Sequence, residues 1–316
     1  MLREHPPRIR EVRKSVLLDM AYPAGSCPAG TLEVTQWPEW RAEALVFGAG
    51  TGIALRPDFF DYAPAAVGGL EWHLNFADAR LFAAYGSRLF AQDEMQVAEH
   101  PLLACVRETL LAEGLSALTY DEKGATPILV RNVPRMLAIA THPDAGAGRP
   151  AGLYGNEFAA APVAAIRRAT RRLEPPTMSN IIAMAAPSGG HDDYTPFEIR
   201  FVVRTALTAF AAARQETQRA GGPACRTRIH TGFWGCGAFG GDRTMMIALQ
   251  VLAARAAGVE QLVLHTGDEA GMDDARRGLE AADVFVAGRG AQPVAMETLV
   301  THFKGLGLRW GYSDGN

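Results

Sequence analysis

Five glycines fall within the run Thr231-Gly232-Phe233-Trp234-Gly235-Cys236-Gly237-Ala238-Phe239-Gly240-Gly241-Asp242, directly before an apolar segment with helical spacing. Bare backbone at a helix N-terminus offers unobstructed N–H groups and the positive end of the helix dipole, which together suit phosphate oxygens. A diphosphate is the first ligand to consider. Neither common phosphate-loop spelling is present, because no Gly-Lys-Ser/Thr ending and no strict dinucleotide fingerprint occurs. A tight strand-to-helix turn accounts for the glycines equally well. The rings of Phe233, Trp234 and Phe239 fit either account, as walls for a ligand or as core anchors beneath the loop.

Gln92-Asp93-Glu94 places two carboxylates side by side after the apolar Leu89-Phe90-Ala91. Adjacent carboxylates in partly apolar surroundings push one pKa upward, as a proton donor for cleavage of a sugar C–O bond requires. A solvated helix start is the ordinary reading of such a triplet. His191-Asp192-Asp193 reads as a polar loop before a helix cap rather than a metal site, since neighbouring side chains seldom converge on one ion. His265 at a strand end is a candidate acid/base with a structural alternative. Cys236 is expected to have a lowered thiol pKa from nearby N–H groups. Cys27, Cys105, Cys225 and Cys236 form no CxxC pair and lack zinc-ligand spacing, so reduced thiols and no metal are expected.

Residues 232–242 closely resemble the glycine-rich segment near the C-terminal end of the poly(ADP-ribose) glycohydrolase family, differing there only at Phe233. The similarity runs through the following helix to Gly267-Asp268. Upstream, Asn75-Phe76-Ala77-Asp78 through Gln92-Asp93-Glu94 looks like the family's Asp-Phe-Ala-Asn and Gln-Glu-Glu region at the same interval. The resemblance implies a macrodomain-like three-layer α/β/α fold with a central mixed sheet. It also implies an enzyme that binds an ADP-ribose-type diphosphate nucleotide and hydrolyses the glycosidic bond at its terminal ribose, without a cofactor. By the same likeness Glu94 is the acid/base, and Asp93 holds a ribose hydroxyl. Asp78 contacts the distal ribose, while Gln92 belongs to the ligand-facing triplet. Gly235, Cys236, Gly237, Ala238, Phe239 and Gly240 cradle the diphosphate. Tyr154, in Gly152-Leu153-Tyr154-Gly155-Asn156, falls in about the interval of the family's adenine loop, and packing is its other reading. The family's triple glycine aligns with Phe82, Ala83 and Ala84, whose side chains are expected to obstruct a ligand. Thr266 replaces an aromatic residue. Two alternatives follow from these departures: a non-catalytic ADP-ribose reader, and an enzyme of small nucleotides in which Phe82 closes the polymer path.

These residues need a frame to hold them. The chain has 316 residues, 48% hydrophobic and 21% charged, enough for a substantial core, with a formal net charge of -3 that argues against a broad nucleic-acid or membrane surface. The N-terminus lacks an apolar signal core and no run approaches spanning length, so a cytoplasmic protein is expected. Residues 1–65 read as an extension packed on a domain of residues 66–316, with strand-like runs at Val16–Leu18 and Ala44–Phe47 and a glycine turn at Gly48–Gly52. From Leu70 strands and helices alternate in the α/β manner. Trp72, Leu74 and Phe76 alternate with His73 and Asn75 as in a half-buried strand. Pro101 to Gly114 spells a helix, Ile181 to Ala185 a buried strand, and Gln261 to Leu264 another. Thr195-Pro196-Phe197-Glu198 is a capping box. Arg243 to Ala257, apolar around most of its circumference, must be covered on several sides and ends at Gly258. Asp121 to Pro150 reads as irregular in part.

Overall fold

A computed structural model describes residues 1–23, 26, 29–289 and 292–313, leaving Cys27 outside the described residues. The N-terminal half contains α1 (Val12–Ala21), β1 (Glu33–Gln36), β2 (Ala44–Leu45), β3 (Gly52–Arg56), β4 (Gly69–Ala77), α2 (Gln92–Glu99), α3 (Leu102–Ala112), β5 (Tyr120–Asp121), β6 (Gly124–Ala125) and β7 (Ile128–Ile139). There follow α4 (Asn156–Ala160), α5 (Val163–Ala169), β8 (Thr170–Ala185), α6 (Pro196–Gly221), β9 (Arg226–Gly232), α7 (Arg243–Ala257), β10 (Gln261–His265), α8 (Glu269–Val286), β11 (Val294–Ala295) and α9 (Met296–Gly305). Seven strands form one mixed sheet in the order β1-β7-β8-β4-β9-β10-β3. The five from β8 to β3 run parallel, while β7 and β1 are antiparallel additions.

Alternate residues of the central strands feed two opposite cores. Trp72, Leu74, Ile182 and Met184 pack with α6 and α7, whereas Ala77, Val130, Ile181 and Ala183 pack with Val97 of α2 and Leu103 of α3. The result is the expected three-layer α/β/α arrangement. It also corrects the expectation for β4: His73 and Asn75 are as buried as their apolar neighbours, so the strand is covered on both faces. The helix α7 packs against α6 and α8 and is buried without a break from Met245 to Ala254, which is why that stretch needs no polar face. The capping box at α6 forms as read, with the Glu198 carboxylate accepting the Thr195 N–H at 2.7 Å.

Three local readings differ. Val16 to Leu18 lie in the helix α1 rather than in a strand. Residues 33–36 and 52–56 supply the two edge strands of the sheet, so the first 65 residues are partly woven into it. Within the stretch expected to be irregular, β7 runs for twelve residues, broken by register shifts at Val130/Val133 and Arg135/Leu137, with Asn132 at φ 59° in the first. A bulge of that kind scrambles the alternation by which a strand is read.

Beneath β4 lies a histidine-rich layer. His100 Nδ1 meets the Gln96 carbonyl at 2.9 Å and Nε2 meets Ser179 Oγ at 3.0 Å, so the neutral ring is fully satisfied, donating at Nδ1 and accepting at Nε2. Burial holds His100 down to about 3 and pushes His73 well below the ordinary histidine range. Because these folded-state values are depressed, the unfolded chain binds the extra protons. Stability is therefore intact above the unfolded value near 6.5 and is lost as pH falls below it. Going to about pH 5 should cost about 2 kcal/mol per such histidine. Urea unfolding at pH 7 and pH 5 checks this: His100→Gln should flatten the pH dependence by about one proton's worth, and an unchanged slope would contradict it.

Candidate active site

The C-terminal ends of β8, β4, β9, β10 and β3 share one edge of the sheet, and the loops that follow them form the site, as expected for parallel α/β layers. Strand β9 leads into the glycine loop. Thr231 Oγ1 donates to Gln250 Oε1 at 2.6 Å, and Gln250 Nε2 donates to the Gly232 carbonyl at 3.1 Å, so α7 grips the strand end from which the loop departs. Trp234 then reaches past β4 to β8, where its Nε1 donates to the Met184 carbonyl at 3.0 Å. Trp234 is thus a core anchor, fully buried.

Gly235 sits at φ 77° with Ala186 Cβ only 2.5 Å from where a side chain would begin, so no larger residue fits. The loop folds on itself through Gly240 N–H to the Gly237 carbonyl (3.0 Å) and Gly241 N–H to the Gly235 carbonyl (2.9 Å). Asp242 caps α7 by accepting the Met245 N–H at 2.8 Å, and its own N–H donates to Tyr194 Oη at 2.7 Å. Trp310 stacks on Tyr194 at 4.5 Å, and the Gly311 N–H donates to the Gly240 carbonyl at 2.7 Å, bracing the loop from the C-terminal side. Among the described residues, the N–H groups of Gly237, Ala238 and Phe239 donate to no protein acceptor. Ala238 is exposed and its two neighbours are half-buried, so three consecutive donors lie in the loop that leads into the fifteen-residue helix α7.

The acid pair begins α2, beside the end of β4. Gln92 fastens it there, accepting the Phe76 N–H at 2.7 Å and donating to the Leu74 carbonyl at 3.0 Å. Both ends of its amide are therefore spent on β4 backbone, and its role in the structure is to position the helix. Asn75 Nδ2 donates to Asp93 Oδ1 at 3.1 Å. Glu94 folds back to accept the Ala91 N–H at 2.9 Å. Both acids are buried, and burial raises both from their ordinary values, Asp93 well above; the charge of Glu94 adds to the effect on Asp93, while Lys14 opposes it at Glu94. The triplet is thus an enclosed pair and not a solvated helix start. Asp78 is exposed, accepts the Arg80 N–H at 3.0 Å, and its charge reaches both acids.

Phe76 Cζ lies 3.7 Å from the side-chain position at Gly232, which puts the last turns of β4 and β9 in contact. The acid pair and the glycine loop therefore rise from adjacent strands. Tyr154, 41% exposed, joins the same edge: the neighbouring Gly155 N–H donates to the Phe90 carbonyl at 2.9 Å, just before α2.

Two expectations are corrected. Cys236 does not have a lowered pKa; burial pushes its thiol strongly up, and its Sγ faces the Trp234 carbonyl at 3.6 Å. Phe82 does not stand in the path of a ligand, because its ring is fully buried in the α2/α3 core while its backbone holds φ 50°, a conformation favoured by glycine. His191-Asp192-Asp193 is a loop tied to Arg309, which meets Asp192 at 2.7 Å and Asp193 at 3.2 Å. His265 is one link in a chain that runs inward from the exposed Asp58 to His265 (2.8 Å), His230 (2.9 Å) and Glu71 (2.7 Å). Sequence reasoning passed over this chain, as it did Lys14, since its members are far apart along the polypeptide.

A mixed sheet with the parallel strand ends carrying a glycine loop and an acid pair defines a macrodomain-type α/β/α protein. Residues 153–273 match the family described as Poly (ADP-ribose) glycohydrolase (PARG), Macro domain fold. Among solved structures, poly(ADP-ribose) glycohydrolase from Thermomonospora curvata aligns at 20% identity with a TM-score of 0.52, covering 86% of this chain and 99% of that one. The same enzyme bound to the inhibitor ADP-HPD aligns at 18% identity and 0.52, over 86% and 99%. At this identity the likeness carries the fold. No match was found among curated proteins.

Proposed function

We propose that the protein is an ADP-ribosyl glycohydrolase, binding an ADP-ribose-type nucleotide along the strand-end edge and cleaving the glycosidic bond at its terminal ribose. The observation that carries this reading is the row of unengaged N–H groups at Gly237, Ala238 and Phe239, in the loop that leads into α7 and one strand from a buried acid pair. Gly235, Cys236 and Gly240 shape the turn that presents those donors. Asp93, held by Asn75, and Asp78 are placed to accept from ribose hydroxyls. Tyr154 flanks the base end.

Glu94 protonates the oxygen that leaves the anomeric carbon. The resulting carboxylate then takes a proton from water as that water's oxygen bonds to the same carbon, which returns Glu94 to its starting form. Burial raises Glu94 above the ordinary glutamate value, the direction that favours the protonated form needed for the first half. The free Cys105, Cys225 and Cys236 suit a reducing, cytoplasmic setting; among the described residues no helix is long and apolar enough to cross a membrane.

Calorimetric titration with ADP-ribose, run beside an assay for ADP-ribose release from ADP-ribosylated protein, tests the reading. Binding and release together are the expected result. Binding without release would mark a reader, and neither would end the proposal.

A further inference from the structure

Residues 8–14 hold the segment that leads into the acid pair. The Arg8 N–H donates to Tyr85 Oη at 2.6 Å, and the N–H groups of Arg10 and Glu11 donate to the Gly86 carbonyl at 3.0 and 3.2 Å. A side chain at Gly86 would run into the Arg8 carbonyl. Glu108 closes the strap, accepting the Tyr85 hydroxyl at 2.8 Å and pairing with Arg8 at 2.9 Å.

Lys14 is the most deeply buried member of this strap, 3% exposed on α1. Its ammonium donates to the Leu89 carbonyl at 2.5 Å and the Ala84 carbonyl at 3.4 Å, the two ends of the turn that delivers the chain to α2, and lies 5.8 Å from the Phe90 ring centroid. Among the described residues no carboxylate is within ion-pair distance of it. Burying an ammonium without a contacting anion is costly, and packing alone would be served by methionine or leucine. The charged groups that face it are Glu11 at the start of α1 and Asp93 and Glu94 of α2, while Asp78 faces the acids from the end of β4. Burial pulls Lys14 down to about 8, and the three acids oppose that pull.

We propose that Lys14 is a positioning residue for the hydrolysis: it closes the Ala84–Leu89 turn beneath α2 and supplies the positive charge that makes Glu94 a better proton donor. This rests on Glu94 as the acid/base. Without the ammonium, burial and the charges of Asp93 and Asp78 act on Glu94 unopposed and hold its proton more tightly. The first 65 residues then contribute to the chemistry as well as to the sheet.

The test compares full-length wild type, Lys14→Met and Lys14→Arg by carboxyl carbon-13 titration of Glu94 and by the pH profile of ADP-ribose release. In Lys14→Met the Glu94 midpoint should rise by about one pH unit, with the high-pH limb of turnover moving the same way. Lys14→Arg should follow the wild type. A purely structural lysine would lower turnover at every pH and leave both midpoints in place, which overturns the proposal. Should Lys14→Met fail to fold, the wild type still decides: the Glu94 signal should show a second inflection as Lys14 loses its proton, and a single inflection defeats the idea. The carboxyl titration needs no turnover, so absence of hydrolysis would refute the functional reading while leaving the Lys14 measurement decisive.

Discussion

Glu94→Gln should reduce ADP-ribose release by about 10²–10⁴-fold while leaving ADP-ribose affinity within about threefold of wild type. The substitution is close to isosteric, and the amide oxygen of glutamine can still accept the Ala91 N–H that Glu94 accepts at 2.9 Å. The N-terminus of α2 therefore keeps its cap, and the Gln92 clamp on β4 is untouched. What is lost is the transferable proton. Stability supplies an internal check on the cause. Burial raises the Glu94 pKa in the folded state, so ionising it there is unfavourable, and the native state is penalised increasingly as pH rises above the unfolded value. Removing the charge should leave the variant at least as stable as wild type near pH 8. A loss of turnover accompanied by a gain in Tm assigns the defect to chemistry. Undiminished release by Glu94→Gln would remove this carboxyl from the mechanism.

The parts of this site that were legible in the sequence are those where backbone geometry dictates residue type. Gly235 at φ 77° and Gly240 at φ 71° leave little choice of residue, so the loop announces itself. The start of α6 and the end of α7 were readable for the same kind of reason: a capping box fixes the one and Gly258 the other. What escaped depends on contacts between distant segments. Lys14 on a short helix with a weak apolar stripe looks like any solvated lysine, and only the fold brings the Leu89 carbonyl to it. The edge strands β1 and β3 are four and five residues long and bury little, so they carry no strong alternation. Phe82 misled for the opposite reason. Its alignment with glycine was informative about the backbone, at φ 50°, while its side chain turns into the core instead of the open edge.

Gly235→Ala should weaken ADP-ribose binding by at least about tenfold and lower stability by about 2–4 kcal/mol, from two separable sources. The first is conformational: at φ 77° an L side chain costs about 1–2 kcal/mol. The second is steric, because the new Cβ would meet Ala186 Cβ at 2.5 Å and Met246 Cε at 3.2 Å. Ala186 follows the last residue of β8 and cannot retreat without moving the sheet, so the loop must give way instead. Displacing Gly235 breaks its carbonyl contact with the Gly241 N–H and shifts the Gly237–Phe239 donors that follow. Gly288→Ala is the matched control. Gly288 lies at φ 74° with nothing within 4 Å of the added carbon, so it pays the first cost and not the second. If the two variants lose equal stability and both keep full ADP-ribose affinity in calorimetry, contact with β8 does not set the loop's position, and the amides at its tip are not the anion site.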